Sequence, residues 1–181
     1  MMKRLTMVTT LMFMVITGTA QAASDTATIT ITGKVLANTC SIDSSSATQT
    51  ITLPTISDRD ITGIGAIDSA KTAVPIILRN CGATATSVVV NTSGKAHGVT
   101  PELFDNIIAS NTAGRAGGFG IYFYHTNGSD LFFPNGSSRE TIRLTPSVDN
   151  ILTFYATYGV ATASVTPGNI SAVVNMTFDY Q

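Results

Sequence analysis

From Thr26 to the last residue, β-branched and aromatic side chains recur at alternate positions, in short runs closed by Gly, Pro or Asn. A period of two sends successive side chains to opposite faces of an extended chain, so each run reads as a strand with one buried face. The candidate strands are 26–31, 35–36, 49–53, 74–78, 87–90, 119–124, 131–133, 141–144, 151–155 and 170–180. Asn127-Gly128 predicts a hairpin turn between two of them, and Asn135-Gly136 marks the next turn. Pro54, Pro101, Pro146 and Pro167 fall between runs, where a missing N–H does no harm. Helix signal is confined to 101–108, with Thr100 as N-cap and Pro101 at the first helical position. Ser44-Ser45-Ser46 reads as a polar loop. Many short strands with turn signals imply an all-β fold, a sandwich or barrel. The length of 181 residues fits one domain.

Residues 1–22 are of another kind. Lys3 and Arg4 precede an apolar run over 5–16, and Ala20-Gln21-Ala22 supplies a small-residue cleavage signature. The run is short for a bilayer span, so a signal peptide is expected rather than an anchor. Cleavage is expected after Ala22, with Ala23 as the alternative. Five of the six methionines, at 1, 2, 7, 12 and 14, lie in this leader. Export gives the two cysteines meaning. In an oxidising compartment Cys40 and Cys81 read most simply as one intramolecular disulfide, with two free thiols as the alternative. No C-x-x-C redox motif is present.

Composition removes several functions. Ten Lys+Arg stand against eleven Asp+Glu, and charged residues make up 12% of the chain. Without a basic face there is no expectation of nucleic-acid binding or of a polybasic membrane mode. With 44% hydrophobic residues the chain is not of the disordered class. The glycine-rich stretch 114–120 lacks the Lys-Ser/Thr of a phosphate loop and opens a strand rather than a helix. His97 and His125 have no ligand-spaced neighbours, and His125 reads as a hairpin-end residue. Asp58-Arg59-Asp60 lacks calcium-loop spacing. No nucleophile signature occurs. Phe119, Tyr122, Tyr124, Phe132 and Phe133 form either a sugar platform or core, and alternation across strands favours core. No enzyme activity, cofactor or metal is expected.

The two ends of the exported chain carry more. In ISAVVNMTFDYQ the even positions Ile170, Ala172, Val174, Met176, Phe178 and Tyr180 are apolar, and five of the six odd positions are polar. An amphipathic strand running to the last residue needs something to cover its apolar face. At the other end Ala27, Ile29, Ile31, Gly33 and Val35 share one face, and Thr26, Thr28, Thr30, Thr32 and Lys34 the other.

The leader, the extension ASDTATITITGKV, the cysteines in GKVLANTCSID and VPIILRNCG, the strands GGFGIYF and LTFYATY and the ending GNISAVVNMTFDYQ occur in this order. In this the chain resembles the pilin subunits of chaperone–usher fimbriae of the type 1 kind, over the whole of 23–181. Gly168, fourteenth from the end, and the penultimate Tyr180 match the family's pattern. The short extension before GKV is most similar to minor subunits that link a tip adhesin to the rod. The resemblance implies an incomplete immunoglobulin-like sandwich that lacks its last strand. It implies a signal peptide over 1–22, a donor-strand extension over 23–35 and a pilin domain over 36–181. The donor residues would be Ala27, Ile29, Ile31 and Gly33. The groove strand that a periplasmic chaperone contacts would comprise Gly168, Val174, Met176, Phe178 and Tyr180, with Gln181 supplying the carboxylate anchor. The implied partners are neighbouring pilins, the chaperone and an outer-membrane usher, with membrane contact only in transit to the cell surface. The competing function is a secreted single-domain carbohydrate-binding adhesin.

Overall fold

The computed structural model describes residues 28–32 and 39–181. The chain divides into two units, Met1–Lys34 and Val35–Gln181, and the fold is that of the second. Its strands are β1 (Ser41–Ile42), β2 (Gly65–Ala66), β3 (Thr72–Arg79), β4 (Ser87–Ser93), β5 (Phe104–Asp105), β6 (Phe119–Tyr124), β7 (Leu131–Phe132), β8 (Arg139–Arg143), β9 (Asn150–Val160) and β10 (Asn175–Tyr180). One sheet runs β1-β3-β9-β6-β5, with β2 also on β9 and β7 on β6; the other runs β10-β4-β8. Every pairing is antiparallel. The core lies between the sheets. Val74, Ile76 and Leu78 of β3, Leu152, Phe154 and Ala156 of β9 and Ile121 and Phe123 of β6 meet Val88 and Val90 of β4. Phe104, Phe123, Phe132 and Phe154 pack with ring centroids 5.9–6.4 Å apart. The all-β sandwich read from the strand pattern is present, in the incomplete immunoglobulin-like form that the resemblance implied.

The Asn127-Gly128 turn forms as predicted. Gly128 N donates to His125 O at 3.0 Å, and Asn127 Oδ1 accepts from Ser129 and Asp130 N. Gly128 and Gly136 both take positive φ (69° and 76°), which explains glycine at each. His125 closes the hairpin: it is buried on the Phe132 ring, with Nε2 at 3.0 Å from Ser138 Oγ. Glu140 faces the same turn and accepts from Thr126 N. Phe119, Tyr124 and Phe132 are buried.

Three expectations are corrected. Residues 101–108 form no helix; Leu103 N closes a turn onto Thr100 O at 3.0 Å, and β5 follows. Two apolar contacts outweigh local propensity. Phe104 enters the core, and Leu103 covers Gly120 and Gly159, where any Cβ would lie within 3 Å of it. Ser44-Ser45-Ser46 opens a short helix, α1 (Ser44–Ala47), capped by Asp43, whose Oδ1 accepts from Ser45 N at 2.9 Å. Ser46 is buried there, and its hydroxyl accepts from Ile77 N at 3.0 Å. The stretch 49–53 has no ladder partner, although Ile51 and Leu53 pack against the core and Gln49 Nε2 donates to Pro75 O. Thr26, Ala27 and residues 33–38, which include the remaining predicted strand, lie outside the described residues, and 28–32 carry no ladder.

Arg79 ties the cap of α1 to the entry of β9 across the end of β3, by pairing with Asp43 and, at 2.6 Å, with Asp149. The Ser45 hydroxyl, then Arg79, hold the Asp43 carboxyl well below the usual carboxylate range. Cys40 and Cys81 are disulfide-bonded, joining the entry of β1 to the exit of β3.

Candidate functional site: the open face of the C-terminal strand

β10 is the outer strand of its sheet. Met176, Phe178 and Tyr180 stand opposite Thr92, Val90 and Val88 of β4. β4 covers one edge of β10; the other has no ladder partner among the described residues. The even residues Ile170, Ala172, Val174, Met176, Phe178 and Tyr180 all face the core, and none is fully buried. Ile51, Leu53 and Ile142 share this half-buried state. The odd residues, among them Asn175, Thr177 and Asp179, are exposed. The core is therefore closed on its β3–β9–β6 side and incompletely covered along β10. Apolar side chains left half-wet beside an unpaired backbone edge invite another strand.

The ladder begins only at Asn175, later than the predicted 170. Residues 168–171 are instead tied to a different element. Asn106 is 1% exposed and uses its whole amide. Nδ2 donates to Ala116 O and Asn169 O, both at 3.1 Å, and Oδ1 accepts from Ile108 N and Ser171 N, both at 3.1 Å. Arg115 donates alongside to Ile108 O, Ala116 O and Asn106 O. Ile107 N adds a bond to Ser171 O at 2.8 Å. Gly168 lies where this strap crosses 114–116. Its φ is 156°, and a Cβ there would sit 2.4 Å from Gly114 O and 2.6 Å from Ala116 N. Gly168 thus permits a close backbone crossing ahead of β10, while Val174, Met176, Phe178 and Tyr180 form the face itself.

At the far end Gln181 N donates to Ser87 O at 2.9 Å and Thr86 N donates to Gln181 O. The last residue is thereby held in register. The Tyr180 hydroxyl is buried without a partner, and burial raises its pKa. Ile29 and Ile31 are 82% and 90% exposed; Ala27 and Gly33 lie outside the described residues. Asn106 and Arg115 escaped the reading of the sequence. A lone Asn inside PELFDNII carries no local sign that three of its four bonds leave the stretch, two of them for Asn169 and Ser171.

A family model described as fimbrial protein matches residues 29–181. The laminin-binding fimbrial subunit ElfA of Escherichia coli O157:H7 is 29% identical over 91% of each chain. A fimbrial subunit of type 1 from Salmonella typhimurium is 30% identical over 85% of this chain and 82% of its own. Among solved structures, a chaperone–usher pilus structure covers 90% of this chain with a TM-score of 0.63 and 23% identity. The P pilus rod subunit PapA covers 78% with a TM-score of 0.62 and 24% identity. The half-covered sandwich is therefore the fold of those pilus structures, and the chain belongs to the fimbrial protein family, whose members build the cell-surface fimbria.

Proposed function

We propose that this pilin polymerises by donor-strand exchange. A periplasmic chaperone first covers the β10 face, an outer-membrane usher receives the complex, and the N-terminal extension of the next subunit then replaces the chaperone, as this chain's extension 23–35 does for its other neighbour. The observation that carries this reading is the half-buried row Val174, Met176, Phe178 and Tyr180 beside an edge that has no ladder partner among the described residues. Ile29 and Ile31 supply side chains of matching period, and both are exposed. Fully burying each would contribute roughly 1.5–3 kcal/mol, with ladder hydrogen bonds in addition. The short extension before Gly33-Lys34-Val35 supports a minor, tip-linking position. Such a role requires no chemistry on a substrate.

The test is a charge in the extension. Ile29→Asp or Ile31→Asp would place an unpaired carboxylate in a neighbour's core, at a cost of several kcal/mol. The variant should fold and co-purify with chaperone, since its own β10 is untouched, and fail to add to a fibre. Thr28→Asp, on the opposite face, should assemble nearly as wild type. Equal assembly by all three would refute the exchange. Protein counts in sheared fimbriae test the minor role: a copy number matching the main rod subunit would exclude it.

A further inference from the structure

We propose that Met176 is an oxidation site within the groove, and that its thioether must stay reduced for a strand to dock. The proposal rests on the reading that the β10 face receives a donated strand. Met176 is the one methionine outside residues 1–22, and both cysteines are held in the disulfide. It is therefore the one oxidisable sulfur of the exported chain at ordinary peroxide strength. It sits within β10, half-buried, between Val174 and Phe178 on the core-facing side. Its neighbour across the ladder is Thr92, which is buried and already donates its hydroxyl proton to Phe133 O at 3.3 Å.

The chemistry is a two-electron oxygen transfer. A sulfur lone pair attacks hydrogen peroxide, the O–O bond breaks, one oxygen stays on sulfur as the sulfoxide and the other leaves as water. The product is a strong hydrogen-bond acceptor. Thr92 has no second proton to give it, and the remaining side chains on this face, from Val174 to Phe178, are apolar. While the face is open, water solvates the sulfoxide oxygen. A strand laid over it would strip that water and bury an unsatisfied acceptor, so oxidation penalises the filled state specifically. The same geometry makes the reaction self-limiting in the fibre, because a docked strand covers the sulfur.

The experiment uses the exported chain, 23–181, released from chaperone by denaturant with its disulfide intact. It is treated with hydrogen peroxide, checked by mass for one added oxygen, and refolded with a synthetic peptide of residues 23–34. Oxidised protein should retain the peptide about tenfold less well than untreated protein. Methionine sulfoxide reductase should restore retention, and peroxide-treated Met176→Leu should lose none. Assembled fibres should take up the oxygen about tenfold more slowly than peptide-free protein. Equal retention by oxidised and untreated protein would overturn the proposal, as would an equal loss in Met176→Leu. If untreated protein holds this peptide no better than a scrambled one, the β10 face does not receive this chain's own extension, and the oxidation site falls with that reading.

Discussion

Asn106 shows how much one buried amide can hold. Its four hydrogen bonds join β5, the glycine-rich loop and the strap that leads into β10. A buried polar group left without its partner is penalised by about 1–3 kcal/mol. Asn106→Ala would strand two N–H groups and leave two carbonyls with fewer partners. We expect a loss of at least 3 kcal/mol in urea unfolding of the disulfide-bonded domain, and a near-neutral result would mean that water replaces the amide. Asp43 is one residue at which pH should act. Its folded pKa is depressed, by the Ser45 hydroxyl first and Arg79 second. Its contribution is therefore full above the unfolded value of about 3.9 and drains away as the pH falls below it. Asp43→Asn should flatten the acid limb of the stability curve below about pH 4, read from unfolding midpoints across pH.

Among elements, β10 presents a whole row of half-covered apolar side chains, where β8 of the same sheet has only Ile142 in that state. β3 and β9 are long, paired on both edges and buried along alternate residues. β8, the opposite edge of the β10 sheet, exposes Arg139, Thr141 and Arg143, and charge on an outer strand discourages stray pairing. β10 carries only Asp179 in that capacity, on its outer face. Its inner face should therefore be where chaperone binds. Phe178→Ser together with Tyr180→Ser should abolish chaperone co-purification and expose the chain to periplasmic proteolysis. Normal recovery of the complex would remove β10 from the contact. The strand was legible because alternation is a local property. Its true start at Asn175 was not, because the strap 168–171 is captured by Asn106, a residue more than sixty positions earlier. The predicted helix at 101–108 failed for a related reason: Leu103 and Phe104 answer to Gly120, Gly159 and the aromatic core, all remote in sequence.

For the whole molecule, the incomplete sandwich sets a condition on folding. A core left half-wet along one strand forfeits part of the burial energy that a domain of this size relies on. The disulfide offsets some of this, by about 4 kcal/mol for a loop of this span on loop-closure grounds. Deleting residues 23–32 should leave a chain that folds with chaperone and can still be the acceptor of a neighbour's strand, yet cannot be a donor. Chaperone-assisted folding and fibre addition, measured on the same deletion, separate these outcomes. Failure to fold with chaperone present would make the segment an internal strand of its own domain.

By itself, the sequence determined the strand character of the chain, the hairpin turn at Asn127-Gly128, the pairing options of two cysteines and the amphipathic face of the last twelve residues. Each depends on the period of side chains along an extended backbone, on glycine's access to positive φ, or on a count, and none needs a partner to be known. Tertiary structure alone decided that Ser44-Ser45-Ser46 turns into a capped helix, that Asn106 holds the strap while Arg115 holds 106–116 beside it, and that Gly168 is needed where backbones cross. It also decided that the row from Val174 to Tyr180 stays half-covered. Those outcomes depend on which segments meet across the sandwich, and a contact between residues sixty positions apart leaves no periodic trace in either stretch of chain.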